Sequence, residues 1–258
     1  MKTFIRNHST FLLSSALLVL LCFNYKWSFN TFAQNGFLSG QQQYKRVRTA
    51  IAEKGKNVSA NLSANGLSTE NVHVLFVAYK AENRLELYAR KKTDSIYKRI
   101  AIYTICAASG RLGPKRREGD GQVPEGFYHI DRFNPVSNFY LSLGINYPNR
   151  SDSRKSSAKR LGGDIFIHGS CVTIGCLPMT NDKIKEIYLY AAYSRNNGQI
   201  KPPVYIFPFR MTDENMGKYK DRYSDNRALI DFWENLKTGY DKFVVDKTEL
   251  SITVDNRG

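Results

Sequence analysis

A series of short β-rich segments in the middle of the chain constrains the fold most. Apolar and aromatic residues dominate three successive runs, Val72–Tyr79, Arg84–Arg90 and Tyr97–Cys106, which short polar breaks separate. Such runs are typical of β-strands. Four further runs extend the series: Gly126–Ile130, Phe139–Leu143, Asp164–His168 and Pro203–Phe209. A long loop is predicted over Gly110–Gly126, because this stretch holds five glycines and two prolines.

Helices are predicted mainly after the strands. Asn181–Arg195, with Thr180 as its N-cap, and Asp225–Phe243 carry apolar residues at helical spacing. The polar stretch before residue 70 indicates one or two short helices outside the main domain, and Thr248–Val254 is predicted to be a final strand. Because strands and helices do not alternate regularly, we expect an α+β, mostly β fold. The expected units are residues 1–33 (leader), 34–70 (helical, polar extension), 71–212 (main domain) and 213–258 (helical and strand extension).

Composition excludes several classes of protein. Hydrophobic residues make up 42% of the chain and charged residues 24%, a balance typical of globular proteins rather than disordered, collagen-like or multi-span membrane proteins. The formal net charge of +15 predicts a polyanionic partner. Nucleic acid, anionic lipid and cell-wall polymer all fit that charge.

The N-terminus predicts export. A basic start precedes Phe11–Phe23, a mostly apolar run that is shorter than the roughly 20 residues of a membrane-spanning helix. Thr31 and Ala33 are small residues suited to cleavage before Gln34. We therefore expect a signal peptide, with an uncleaved anchor as the alternative. A lipoprotein site at Cys22 is disfavoured by the large Leu21 before it.

The cysteine count indicates a functional thiol. Without the leader, Cys106, Cys171 and Cys176 remain, so at least one of them has no partner within the chain. An oxidising compartment modifies idle thiols, which favours a role for the unpaired one. Cys106 lies in an apolar run and could be a small buried hydrophobe. Cys171 could be a bystander or could form a disulfide with Cys176.

One segment combines residues suited to cysteine catalysis. His168 ends a predicted strand, and Cys176 follows eight residues later, directly after Gly175. The loop between them can fold the imidazole back as a base, while Gly169 can offer its carbonyl oxygen to orient that imidazole. Thr173, Ile174 and Gly175 are expected to shape a turn whose N–H groups hold an oxyanion. A zinc site built from His168, Cys171 and Cys176 would lack a fourth ligand, so we expect neither metal nor cofactor.

The same segment resembles a known family. His168-Gly169 and the sequence from Thr173 to Cys176 are similar to the signature of the YkuD-type L,D-transpeptidase catalytic domain. Val123–Ile130 is similar to an upstream region of the same domain, and Phe139–Asn149 and Tyr205–Thr212 are similar to its YafK-like branch. The resemblance implies a YkuD-like fold, with Cys176 as nucleophile and His168 as general base and proton donor. It also implies peptidoglycan stem peptides as substrates, in the periplasm or cell envelope.

Departures from the family pattern bear on the direction of the reaction. Family members commonly carry arginine two residues after the nucleophile, where this chain has Pro178, and their interval between histidine and cysteine is longer. Proline cannot bind a carboxylate, so we expect hydrolytic release rather than cross-linking of peptides or attachment of proteins. A catalytically silent peptidoglycan-binding protein and a cysteine hydrolase of another amide remain the alternatives.

Basic stretches flank the candidate site in the sequence. They surround Lys115 and occupy Arg150–Arg160, and they are either solvated loops or attractants for stem-peptide carboxylates. The residues that we expect to bind substrate are Lys115, Tyr128, Tyr140 and Arg160. The expected partners are peptidoglycan and wall-linked proteins, not nucleic acid. A membrane would be contacted only through an uncleaved N-terminal segment.

Overall fold

A computed structural model of the protein describes residues 36–256 and 258, so the predicted leader at residues 1–33 lies outside the described residues. Eight strands form one sheet in the order β3-β2-β1-β8-β4-β5-β6-β7. They are β1 (Val72–Tyr79), β2 (Arg84–Lys91), β3 (Lys98–Thr104), β4 (Gly126–Asn134), β5 (Ser142–Ile145), β6 (Phe166–His168), β7 (Leu177–Pro178) and β8 (Pro203–Phe207). Neighbouring strands are antiparallel except for the pairs β1–β8 and β6–β7.

Five helices follow residue 44, and residues 36–42 are helical as well. The five are α1 (Lys45–Ala64), α2 (Arg150–Lys155), α3 (Asn181–Asn196), α4 (Asp213–Arg222) and α5 (Arg227–Asp246). The predicted N-cap of α3 is confirmed, because the Thr180 hydroxyl accepts a hydrogen bond from the Lys183 N–H at 3.2 Å. The α+β prediction is confirmed as well. No helix in the described part of the chain is long and apolar enough to cross a membrane.

Strand β1 is covered on both faces, which explains its nearly continuous apolar sequence. Val74, Phe76 and Ala78 belong to one hydrophobic core, which also contains buried residues of α1 and α3. Leu75 and Val77 belong to a second core, which also contains buried residues of α4 and α5. The sheet is therefore a middle layer between two helical layers.

Two predicted elements differ from the structure. Residues 36–42 are helical, and the helix after them, α1, is long, with Val47 and Leu62 fully buried in the first core rather than lying outside it. Its apolar residues recur at helical spacing among many polar ones, which hides its length. The predicted strand at 248–254 does not form. The Leu250 N–H there donates to the side-chain hydroxyl of Tyr205 instead of joining a strand ladder.

Candidate active site

Strands β6 and β7 bring the two ends of the predicted catalytic segment together. They pair in parallel, with Ile167 opposite Leu177 and His168 opposite Pro178. His168 therefore ends β6, and Cys176 lies directly before β7. The intervening loop is short, so the pairing of the two strands fixes where both residues lie.

His168 is held in one orientation. It is 1% exposed, and its Nδ1 lies 2.5 Å from the carbonyl oxygen of Gly169. The ring also packs on Phe139, with 4.6 Å between the centroids. A side chain at residue 169 would approach Asn181 Oδ1 to 2.5 Å and the carbonyl oxygen of Phe139 to 2.9 Å, so glycine is required there. With Nδ1–H donated to Gly169, Nε2 is the nitrogen that can accept a proton.

Burial keeps His168 neutral at physiological pH. Desolvation lowers the pKa of the imidazole below its ordinary value, and the hydrogen bond to the Gly169 carbonyl opposes that shift only in part. A neutral imidazole is the form that can act as a general base.

Cys176 is a partly buried free thiol that lies against β6. Its Sγ lies 3.6 Å from the carbonyl oxygen of Asp164. Burial raises the pKa of the thiol, while the backbone N–H of Phe166 and the Lys115 ammonium lower it in part. The resting pair is therefore a thiol and a neutral imidazole. In the described part of the chain, Sγ makes no hydrogen bond to His168.

A threonine hydroxyl organises the turn before Cys176. Thr173 Oγ1 accepts hydrogen bonds from the N–H groups of Gly175 at 3.2 Å and Cys176 at 2.8 Å, and it donates to the Cys176 carbonyl oxygen at 2.9 Å. Gly175 has φ +132°, a conformation that favours glycine. The two N–H groups predicted to hold an oxyanion are thus occupied by Thr173, and holding an oxyanion would require them to exchange that partner. Ile174 is 90% exposed at the tip of the turn.

The cysteine pairing corrects one alternative left open by the sequence. Cys171 forms a disulfide with Cys106, across 65 residues of sequence, and not with Cys176. Cys106 is therefore not an isolated buried hydrophobe. Because Cys171 is oxidised, it cannot be a thiolate ligand in the zinc site weighed above. No group of three or more metal-ligating side chains occurs among the described residues.

The four residues predicted to bind substrate do not line the cavity beside Cys176. Lys115 is buried and ion-paired with Asp120 at 2.6 Å. The Tyr128 hydroxyl bonds to the buried Asp152, and Tyr140 lies between the side chains of Arg46 and Lys185. Arg160 is exposed and ion-paired with Glu118 at 2.7 Å. Their contacts with substrate stay predictions.

A cavity of about 660 Å³ opens beside Cys176. Its wall comes from the segment after β3, the long glycine-rich loop and the end of α4. Residues that the sequence analysis did not single out line it: Lys80, Ser109, Arg111, Tyr219, Arg222 and Tyr223. Helix α4 gives little sequence signal, because Met216 is its one buried residue.

The family of the chain follows from comparison with known proteins. The family model of the L,D-transpeptidase catalytic domain, YkuD, matches residues 73–245. The chain belongs to this family. The Escherichia coli K12 protein YafK, whose name assigns it provisionally to the L,D-transpeptidases, is 41% identical over 180 residues, or 69% of each chain. The resemblance inferred from the motifs, and the YkuD fold that it implied, are therefore confirmed.

Two solved structures are also similar to this chain. The helical cell shape determining protein Pgp2 from Campylobacter jejuni is 21% identical with a TM-score of 0.41, over 58% of this chain and 54% of Pgp2. Bd1075 from Bdellovibrio bacteriovorus is 23% identical with a TM-score of 0.38, over 54% of this chain and 49% of Bd1075. The chain thus spans about half the length of each of these proteins.

Proposed function

We propose that the protein is an exported cysteine acyl-transfer enzyme that acts on peptidoglycan stem peptides. The main support is the position of the one free thiol of the described residues. Cys176 lies at the wall of a cavity and directly before the strand that pairs with the strand of His168. Membership of the L,D-transpeptidase family supports the substrate class. The amide that reacts is proposed to be at a diaminopimelate-type residue.

The first half-reaction is acylation of the thiol. The Cys176 S–H proton moves to Nε2 of His168, and Sγ forms a bond to the amide carbonyl carbon. Because Sγ lies beside the Asp164 carbonyl oxygen at rest, the thiol must turn toward the imidazole when substrate binds. The tetrahedral intermediate then breaks its C–N bond, and the imidazolium gives its proton to the leaving amine. A thioester on Cys176 remains.

The second half-reaction releases the acyl group. Water or an amine gives a proton to Nε2 of His168 as its oxygen or nitrogen attacks the thioester carbonyl. The C–S bond then breaks, and the thiolate takes the proton back to restore the resting thiol. Attack by water detaches a peptide or a wall-linked protein, whereas attack by an amine forms a new cross-link or a protein attachment.

Water is proposed as the favoured acceptor. Pro178 is buried in β7, and its carbonyl oxygen accepts a hydrogen bond from the Cys106 N–H at 3.0 Å. Position 178 therefore offers no charge or side-chain donor to hold an acceptor strand. A poorly held amine loses the advantage of proximity over water.

The test is mass-spectrometric profiling of peptidoglycan and a protein-linked muropeptide after incubation with purified enzyme. We expect the wild type to free peptide or protein, and Cys176→Ala to form no product while staying folded. Ser170→Ala, an exposed change in the same loop, is the control and should keep activity. Full activity of Cys176→Ala would overturn the nucleophile assignment. Diaminopimelate-to-diaminopimelate dimers without release, in the presence of excess amine acceptor, would overturn the preference for water.

The silent binding protein makes a different prediction. If the protein only holds peptidoglycan, the wild type and Cys176→Ala will bind the polymer equally and neither will change its composition. That result would replace the enzymatic proposal.

A further inference from the structure

The cavity beside Cys176 is positively charged. Three cationic residues line it, Lys80, Arg111 and Arg222, and no aspartate or glutamate does. The Lys80 ammonium is already paired, since it lies 2.9 Å from Glu125 Oε1 and donates to two backbone carbonyl oxygens. The guanidinium groups of Arg111 and Arg222 have no carboxylate partner within the described residues. Arg222 lies over the ring of Tyr223, 5.8 Å from its centroid.

The loop that carries Arg111 is joined to the nucleophile turn. Gln122 Oε1 accepts a hydrogen bond from the Arg111 N–H at 2.8 Å. The backbone carbonyl oxygen of the same Gln122 lies against the turn, 3.1 Å from where a Cβ at residue 175 would be. The backbone of Arg111 therefore has a defined position relative to Cys176, and Arg111 does not belong to an unconnected surface loop.

The helix that carries Arg222 is anchored from the other side. Arg222 ends α4, and Tyr219 of that helix stacks on the buried Phe209 with 4.0 Å between centroids. Tyr219 and Tyr223 also contact Trp233 of α5 edge to face. These aromatic contacts hold the backbone of Arg222 at the wall of the cavity.

A buried polar atom in the same wall also lacks a partner. The side-chain oxygen of Ser109 is shielded from solvent and makes no hydrogen bond with any described residue. Ser109 lines the cavity with the two arginines. A buried hydroxyl is normally hydrogen-bonded, so Ser109 has an unused hydrogen-bonding group in this wall.

We propose that Arg111 and Arg222 bind a free carboxylate of the peptide substrate and so determine which peptides Cys176 attacks. This inference rests on the proposed function. A guanidinium binds a carboxylate through paired charge-assisted hydrogen bonds, and two unpaired guanidinium groups favour an anionic peptide over a neutral one.

The test compares two substrates that differ in one group. A stem-type tetrapeptide with a free C-terminal carboxylate and the same peptide with a C-terminal carboxamide are each used as donor. We expect wild-type kcat/KM to favour the carboxylate by about 10–100-fold, mainly through KM, and Arg222→Gln and Arg111→Gln each to reduce that preference. Arg227→Gln is the matched control, because Arg227 is exposed, pairs with Asp231 at 2.8 Å and does not line the cavity.

A binding measurement separates this inference from the proposed function. Each peptide is tested for protection of Cys176 against alkylation by iodoacetamide, which requires no turnover. Protection by the carboxylate peptide that weakens in Arg222→Gln but not in Arg227→Gln supports the inference even if neither peptide is cleaved. Equal protection by both peptides, or an equal loss for both in Arg222→Gln, would overturn it.

Discussion

At the scale of single residues, the proposed chemistry depends on two groups whose burial shifts their pKa values in opposite senses. Burial lowers the pKa of His168 and raises that of Cys176, so both are uncharged near neutral pH. A preformed thiolate–imidazolium pair would need the reverse order. In the proposed mechanism, the thiol therefore loses its proton to His168 during attack, and the imidazole acts as a general base.

The order of the His168 and Cys176 pKa values predicts how activity depends on pH. His168 must be neutral to accept the thiol proton, and its pKa lies below the ordinary value of about 6.5. We expect kcat/KM to be level around neutral pH and to fall only as the pH drops through that lowered pKa. In His168→Ala, we expect this fall of kcat/KM at low pH to disappear and the rate to be about 10²–10⁴-fold lower than in the wild type.

His129→Ala is the control for that experiment. Burial also lowers the pKa of His129, but its side chain does not line the cavity, so the variant should keep the wild-type profile. If wild-type activity instead began to rise only above pH 8, the titrating group would be the thiol and not the imidazole.

At the scale of elements, the loop between His168 and Cys176 is tied to the sheet at several points. The disulfide joins Cys171 of the loop to Cys106 after β3, whose Cα atoms are 5.4 Å apart. The Cys106 N–H donates to Pro178 at 3.0 Å, and the Cys171 N–H donates to Met179 at 3.3 Å. These contacts hold the loop against β7 and against the segment that follows β3.

Removing the disulfide should loosen the loop without removing the nucleophile. We expect Cys106→Ala/Cys171→Ala to lower the free energy of unfolding by about 2–4 kcal/mol, as measured by urea denaturation, and to keep detectable activity. Peptide mapping of the unreduced wild type should link the peptides of residues 106 and 171 and find Cys176 alkylated. A linkage between 171 and 176 would contradict this account.

The elements that the sequence predicted well are those with a local signal. The strands from 72 to 104 alternate with polar breaks, and the His168–Cys176 segment carries its chemistry within nine residues of sequence. Pairings between distant residues, such as Cys106 with Cys171, have no such signal. Helix α2 does have a local signal, the capping box formed by the Asn149 and Asp152 side chains. Its basic residues nevertheless favour a flanking loop in the sequence analysis.

At the scale of the whole molecule, the second core supports the cavity. The buried Glu125 connects three parts of the chain, because it accepts hydrogen bonds from Trp233 Nε1 at 2.9 Å, from Lys80 Nζ at 2.9 Å and from the Gly113 N–H at 2.6 Å. Helix α5, the end of β1 and the glycine-rich loop are thus joined beneath the wall of the cavity. The sequence predicts the region after residue 212 to be an extension, and α4 of this region carries Arg222, which lines the cavity. Only the folded chain shows that placement.

The central claim is that Cys176 carries the acyl group, and trapping that intermediate tests it most directly. The enzyme is mixed with a stem-peptide donor, quenched rapidly in acid and measured by intact-protein and peptide mass spectrometry. The account predicts an added mass equal to the donor acyl fragment, located on the peptide of Cys176, removed by neutral hydroxylamine and absent from Cys176→Ala. Product formation with no such adduct, or with the adduct on another residue, would contradict it.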